Sequence, residues 1–217
     1  MEVILKNSTT PDWITLLIFC CLILIAVAKW LNSPRFNEFV MLVFTNKYFL
    51  VQGKNKSIFT PFNILLLIVQ ILSLSLFAFI LSSYFLKEIN LGETLFFVQI
   101  AGYFALFMGL KYYIEKIIAN LFSIDIFIDN YLYHKLSYRN LIALFLVGIN
   151  MLLLYTLPLS SGLLVAIVLL IIGANVFSLI YSYKTYEKLI RGHFFYFILY
   201  LCALEISPYF ILYKIIV

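Results

Sequence analysis

The residue best placed for chemistry is Glu205, in the run Tyr200-Leu201-Cys202-Ala203-Leu204-Glu205-Ile206-Ser207-Pro208. If the surrounding apolar stretch, residues 194–213, crosses a bilayer, this carboxyl group lies close to the midplane. A charged side chain there costs about 2.5–3.5 kcal/mol on insertion scales, so it is expected to face protein or water, or to be protonated. Pro208 sharpens the site. It cannot donate to the carbonyl of Leu204, which frees a backbone acceptor one position from the carboxyl group. A kink, an ordered water or a bound ion could satisfy that acceptor. Amide partners are available near the centres of other apolar stretches: Asn150 nearest in depth, Gln99 slightly further outward, then Asn175, with Gln70 in a further stretch. Three readings stay open. Glu205 carries a proton or binds a ligand within a small polar cluster; or it docks a partner; or it is a neutral carboxyl group hydrogen-bonded to an amide, holding helices in register.

Other chemistry finds little support. His134 and His193 are the only histidines, both expected near one membrane interface. They cannot make up a catalytic zinc site without carboxylate help, and their depth does not suit two axial haem ligands. No HExxH, GxSxG or P-loop spacing occurs. No cofactor, no metal and no enzymatic activity are therefore expected, and no soluble substrate is evident. Cys20, Cys21 and Cys202 lie within apolar stretches and read as small apolar residues rather than as a disulfide framework. Ser73, Ser75, Ser82 and Ser83 read as helix-packing residues. Gly102, Gly109 and Gly173 are expected to let helices approach closely.

The elements that must position these groups are six apolar stretches: residues 13–30, 62–86, 94–113, 139–157, 162–183 and 194–213. Each has the length an α-helix needs to cross a hydrocarbon layer about 30 Å thick. Spanning strands are excluded, because the runs are continuous rather than alternating. The chain of 217 residues is 65% hydrophobic and only 12% charged. Ordinary soluble domains carry about a quarter charged residues. The expected fold is an all-α integral membrane protein, a single bundle of six transmembrane helices.

Twelve of the fifteen Lys and Arg residues fall in the first, third and fifth connections. By the positive-inside rule those connections face the cytoplasm, leaving the N-terminus and C-terminus exoplasmic. Arg35, Lys47, Lys54, Lys56, Lys111, Lys116, Lys184, Lys188 and Arg191 are then expected against lipid headgroups at the cytoplasmic face. Anionic lipid accounts for the net charge of +5, so nucleic acid is not an expected partner. Trp13, Tyr84, Tyr155 and Tyr209 mark the outer border, and Trp30, Tyr112, Tyr113, Tyr138, Tyr181 and Tyr183 the inner one.

Thr10-Pro11, Ser33-Pro34 and Thr60-Pro61 each place a hydroxyl where an N-cap belongs and a proline at the first helical position. The element that follows Ser33, residues 34–44, is too short to cross and reads as an interfacial helix. Residues 45–59 can form a small hairpin around a polar turn. Residues 114–136 read as a cytoplasmic amphipathic segment: a helix continuing past the membrane, then a short interfacial helix. Within it Ile114, Ile117, Ile118, Leu121 and Phe122 form a stripe, and Lys111 and Glu115 are spaced to pair. The fourth connection, residues 157–162, is a tight outer hairpin. The opening residues lack a cationic region and no small-x-small cleavage site follows, so residues 13–30 read as a retained helix rather than a signal peptide.

The segment Phe197–Pro208 resembles a Bacteroidota family of multi-pass membrane proteins catalogued as domain of unknown function number 4271. The resemblance rests on the motif Leu-Tyr-x-Cys-x-Leu-Glu-Ile-x-Pro, matched by Leu199, Tyr200, Cys202, Leu204, Glu205, Ile206 and Pro208, and extends over most of the chain, including residues 44–49. It brings no activity or cofactor. It implies a cytoplasmic (inner) membrane location and lineage-restricted machinery. The expected function is a non-enzymatic accessory or scaffold subunit of an envelope complex for secretion, gliding or outer-membrane assembly, whose partners are lipid and other membrane proteins. The rival is a small transporter or proton-coupled subunit using Glu205.

Overall fold

The computed structural model describes residues 12–43, 60–86, 94–121 and 125–190. These form six α-helices: α1 Asp12–Leu31, α2 Ser33–Val40, α3 Pro61–Leu86, α4 Thr94–Leu121, α5 Asp125–Tyr155 and α6 Ser161–Ile190. A 3-10 turn, Met41–Val43, ends α2. All but α2 are long and apolar enough to cross a membrane, the signature of a multi-pass membrane protein. The sixth expected span, residues 194–213, lies outside the described residues, as does the hairpin expected over 45–59.

Local signals set most helix ends. Asp12 opens α1 and Lys29 closes it, each opposing the helix dipole. At α3, Pro61 occupies the first position, and the hydroxyl of Thr60 accepts the backbone N–H of Asn63 at 3.4 Å. At α2 the cap is Asn32 rather than Ser33. The backbone of Asn32 is non-helical, its side chain makes no capping bond, and its carbonyl accepts Phe36 N–H at 2.9 Å. Ser33 is already helical, because a proline at position 34 fits the first turn. The α5–α6 hairpin is tight. Leu157 N–H reaches back to the carbonyl of Leu152 at 2.8 Å, and Ser160 caps α6 through its hydroxyl at 3.4 Å.

Helix α3 is the centre of the bundle, packed on α1, α4 and α5, with α6 against α5. Half of its crossing window is buried, and 44% of that of α5, against 6% for α4 and 11% for α6. At the end holding Asp12, Leu86 and Tyr155, Trp13 packs its ring against Phe79 and Phe97, 5.5 and 5.3 Å between centroids. Ile14, Ile18, Ile80, Leu153 and Leu164 close that cluster. At the other end α2 folds back over the bundle, burying Phe36 and Phe39 with Phe62, Leu66, Tyr133 and Leu141. That end also carries basic residues, among them Arg35, Lys116, Lys135 and Arg139.

Two expectations change here. Residues 114–136 do not contain a separate interfacial helix: α4 runs on to Leu121, and α5 runs unbroken from Asp125 through the expected span. Two ion pairs across the α4–α5 turn make this continuation tolerable. Lys116 Nζ lies 2.7 and 2.8 Å from the carboxylate oxygens of Asp129. Glu115, spaced to pair with Lys111, is instead taken by Lys135 of α5 at 2.8 Å. The polarity of the expected stripe inverts as a result, with Ile114 and Ile117 exposed and Glu115 buried. The second change concerns Gly102, Gly109 and Gly173. A Cβ on any of them would meet nothing within 4 Å, so none supports a close helix approach among the described residues.

Candidate functional site

The buried polar side chains gather along one interface, between α3 and α5. The two helices run parallel, both leaving the basic end. On α3 the seam residues are Asn63, Gln70 and Ser73; on α5 they are Tyr133, Asn140 and Ala143. The same steps of seven and three residues on each helix keep side chains on one face while two helices wind around each other at a shallow left-handed angle.

At the basic end the seam receives Arg35 of α2. Its Nη2 donates to Asn63 Oδ1 at 3.3 Å and to the Tyr133 hydroxyl at 3.1 Å, and the guanidinium stands 4.9 Å from the centroid of the Phe62 ring. One level further in, the amide of Gln70, oriented to satisfy both its atoms, donates to Asn140 Oδ1 at 3.0 Å. It accepts from Arg139 Nε and Nη2 at 3.1 and 3.0 Å. Arg139 Nη2 also lies 3.0 Å from Met108 Sδ of α4. Deeper still, the Ser73 hydroxyl donates to the Ala143 carbonyl at 3.2 Å, and Asn150 Nδ2 donates to the Ser73 carbonyl at 2.9 Å. Beside this ladder, Lys135 and Glu115 form their ion pair with side chains only 7% and 4% exposed. Lys135 Nζ also lies 5.7 Å from the Tyr131 ring centroid.

In an apolar surrounding each of these groups must find a partner within the protein, and almost all do. Among the described residues the exceptions in the seam are Arg35 Nε and Asn150 Oδ1, both buried and making no hydrogen bond. Chemically the arrangement is a ladder of donors and acceptors facing one another. Among the described residues no group of three or more His, Cys, Asp and Glu could hold a metal ion.

Of the amides expected around Glu205, Asn150 and Gln70 enter the seam. Gln99 is exposed on α4, and Asn175 donates to the Ile171 carbonyl of its own helix at 2.8 Å. Neither hydrogen-bonds to Asn150. Glu205 and Pro208 lie outside the described residues, and so do Lys47, Lys54, Lys56 and Arg191; Lys184 and Lys188 fall on the last turns of α6. Arg35, expected against headgroups, is buried, because α2 folds inward over the bundle and not along its rim. His134, expected at the interface, is also buried. Lys111 is half-buried, and Lys116 is held by Asp129.

Reading the residues one stretch at a time misses Asn63, Tyr133, Asn140 and Arg139, which lie near the ends of the apolar runs and look like ordinary border residues. A signal for them existed. Gln70 and Asn140, like Ser73 and Ala143, are separated by 70 residues, and Asn63 and Tyr133, which share Arg35, keep the same offset.

No curated protein and no solved structure matches this chain. The family model described as Domain of unknown function (DUF4271) matches residues 14–216. With nearly the whole sequence covered, the chain belongs to that family.

Proposed function

We propose that the protein is a non-enzymatic accessory or scaffold subunit of a cell-envelope complex. We place it in the cytoplasmic membrane of a Bacteroidota cell, with its basic end in the cytoplasm, within secretion, gliding or outer-membrane assembly machinery. One observation carries this reading: the buried polar groups are spent on one another across α3 and α5. A seam of mutually satisfied side chains fixes register and rigidity, whereas a transport path needs groups that exchange partners with water or cargo. A rigid core leaves the outward faces of α4 and α6 as surfaces to offer. The lineage and envelope setting rest on the family resemblance carried by the Leu199–Pro208 motif. The test is purification of a tagged copy at native expression in mild detergent. The same envelope proteins should be recovered in fixed stoichiometry, and recovery of the protein alone would sink the proposal.

A second reading, a proton-coupled subunit using Glu205, is favoured by the unpartnered Asn150 Oδ1, an acceptor that a protonated carboxyl group or a water could fill. It requires Glu205→Gln to abolish function at normal expression. A silent Glu205→Gln rules it out.

A further inference from the structure

We infer that the chain's own apolar stretch 194–213 docks along α4, where the carboxyl group of Glu205 pairs with the amide of Gln99. This stretch follows α6 in the chain and lies outside the described residues. Two polar groups, one on each side, motivate the pairing. Of the amides that fall within the described apolar stretches, Gln99 alone makes no hydrogen bond among the described residues, and it is exposed on a helix of crossing length. Glu205 is the only acidic residue within the six stretches. Lipid offers neither group a hydrogen bond, so each must find its partner in protein.

Chain direction and depth bring the two together. Helix α6 returns the chain to the basic end, as α4 does, so 194–213 sets out from that end and runs antiparallel to α4. Counted from the outer border, Gln99 is five residues in from Thr94 and Glu205 eight in from Tyr213. At roughly 1.5 Å per residue their depths differ by about 4.5 Å, less than one helical turn. A neutral carboxyl group and a primary amide each offer a donor and an acceptor, so the pair closes two hydrogen bonds and leaves no charge in the membrane. Asn150, the other amide near this depth, is fully buried and already donates to the Ser73 carbonyl, which leaves Gln99 as the amide a docking helix can reach.

The surface around Gln99 has the form of a helix-pairing face. Leu95, Gln99, Gly102, Leu106, Gly109 and Tyr113 recur at alternating steps of four and three residues, a seam that keeps facing one neighbouring helix. Leu95, Leu106 and Tyr113 are all more than half exposed, and open space surrounds the Cβ positions of both glycines. With Gln99 set opposite Glu205, the antiparallel register sets Gly102 opposite Cys202 and Leu106 opposite Ile198, small residue against small residue beside the polar pair. The other side of α4, with Tyr103, Phe107 and Leu110, stays outward. The inference does not rest on the accessory-subunit reading, because its test reads the contact whatever the protein recruits.

The test is cross-linking in native membranes, with Cys20, Cys21 and Cys202 replaced by Ala and a protease site inserted after Leu157. In that background Leu106→Cys with Ile198→Cys should form a disulfide under mild oxidation that holds the two halves of the chain together after cleavage. Ile23→Cys, exposed on α1, with Ile198→Cys should hold few of them. Adding Gln99→Leu to the first pair should lower its yield roughly threefold or more, the weight of one interhelical hydrogen bond in a membrane. Glu205→Gln, which keeps a donor and an acceptor, should retain most of the yield. Absence of the first disulfide, equal yields at both pairs, indifference to Gln99→Leu, or a covalent dimer before cleavage would each overturn the inference. Melting midpoints of detergent-solubilised variants with the native cysteines guard against a misfolded background. Gln99→Leu and Glu205→Leu should each lower the midpoint, and the double variant should fall no further than the lower of the two; additive falls contradict the pairing.

Discussion

Lys135→Met is the most informative single perturbation of the bundle. It leaves the carboxylate of Glu115, with a side chain only 4% exposed, facing the space its one hydrogen-bonding partner among the described residues occupied at 2.8 Å. Removing one member of a buried pair costs about 3–5 kcal/mol, mostly for the charge left behind. In a chain of this size, about 2–4 °C of midpoint per kcal/mol makes that a fall of roughly 6–20 °C. Glu115→Leu leaves Lys135 its other interactions and the nearby Tyr131 ring, and should cost less. The double variant Glu115→Leu with Lys135→Met leaves no carboxylate behind. It replaces the pair with apolar volume, and should lie within about 1–2 kcal/mol of the parent, more stable than Lys135→Met alone. The assay is the melting midpoint of detergent-solubilised protein, followed by fluorescence-detected size exclusion after heating. Additive losses, with the double variant the least stable, would refute the reasoning. The pair would then behave as a solvent-screened surface bridge, worth about 1 kcal/mol or less, and α4 and α5 would not bury this turn.

The seam makes further predictions. Gln70→Leu strips Arg139 and Asn140 of their shared amide and should lower stability by about 1–3 kcal/mol, readable in the same melting assay; Gln70→Glu, which keeps the acceptor facing the guanidinium, should cost less. Asn150→Leu removes one donated bond, worth about 0.6 kcal/mol between membrane helices, together with a buried acceptor that has no partner. Its midpoint should therefore be unchanged or slightly raised, and a fall equivalent to more than about 2 kcal/mol would mean that Oδ1 is occupied in the working protein. Arg35→Met should loosen α2 from the bundle end, seen as faster protease cleavage after α2 with the α5–α6 hairpin left intact. For orientation, an enzyme active only outside the cytoplasm should report activity when fused after Leu157 and none when fused after Leu121.

Much of the architecture was legible because lipid leaves helices few choices. Runs such as 62–86 and 162–183 contain no proline and no charge, and α3 and α6 cover them. The misreadings have a common cause. Glu115, Lys116, Asp129 and Lys135 look like a solvated cytoplasmic segment when each helix is considered alone, because charge in sequence suggests water. Their pairing across the α4–α5 turn is a tertiary fact, and it turns Glu115 inward and the neighbouring isoleucines outward. Arg35 misled in the same way: a cation beside an apolar helix resembles a headgroup anchor until Asn63, Phe62 and Tyr133 are seen to form its pocket. The candidate site was partly visible. Asn150 and Gln70 stood out as amides in apolar runs, but their partners Ser73 and Asn140 appear only when the parallel register of α3 and α5 is known. Gln99 and Asn175 stood out for the same reason and joined no cluster, since each lies on a helix whose surface is mostly outward.

The claim on which the functional account rests is that this bundle serves as a fixed part of a larger assembly. Purification from cells expressing the tagged protein at its native level, in mild detergent, with quantification of everything recovered, tests it most directly. The account predicts a constant set of envelope proteins in fixed ratio to the bait, retained in Glu205→Gln. Recovery of the bait alone, with cellular function lost in Glu205→Gln at normal expression, would contradict it and leave the carboxylate as the working part.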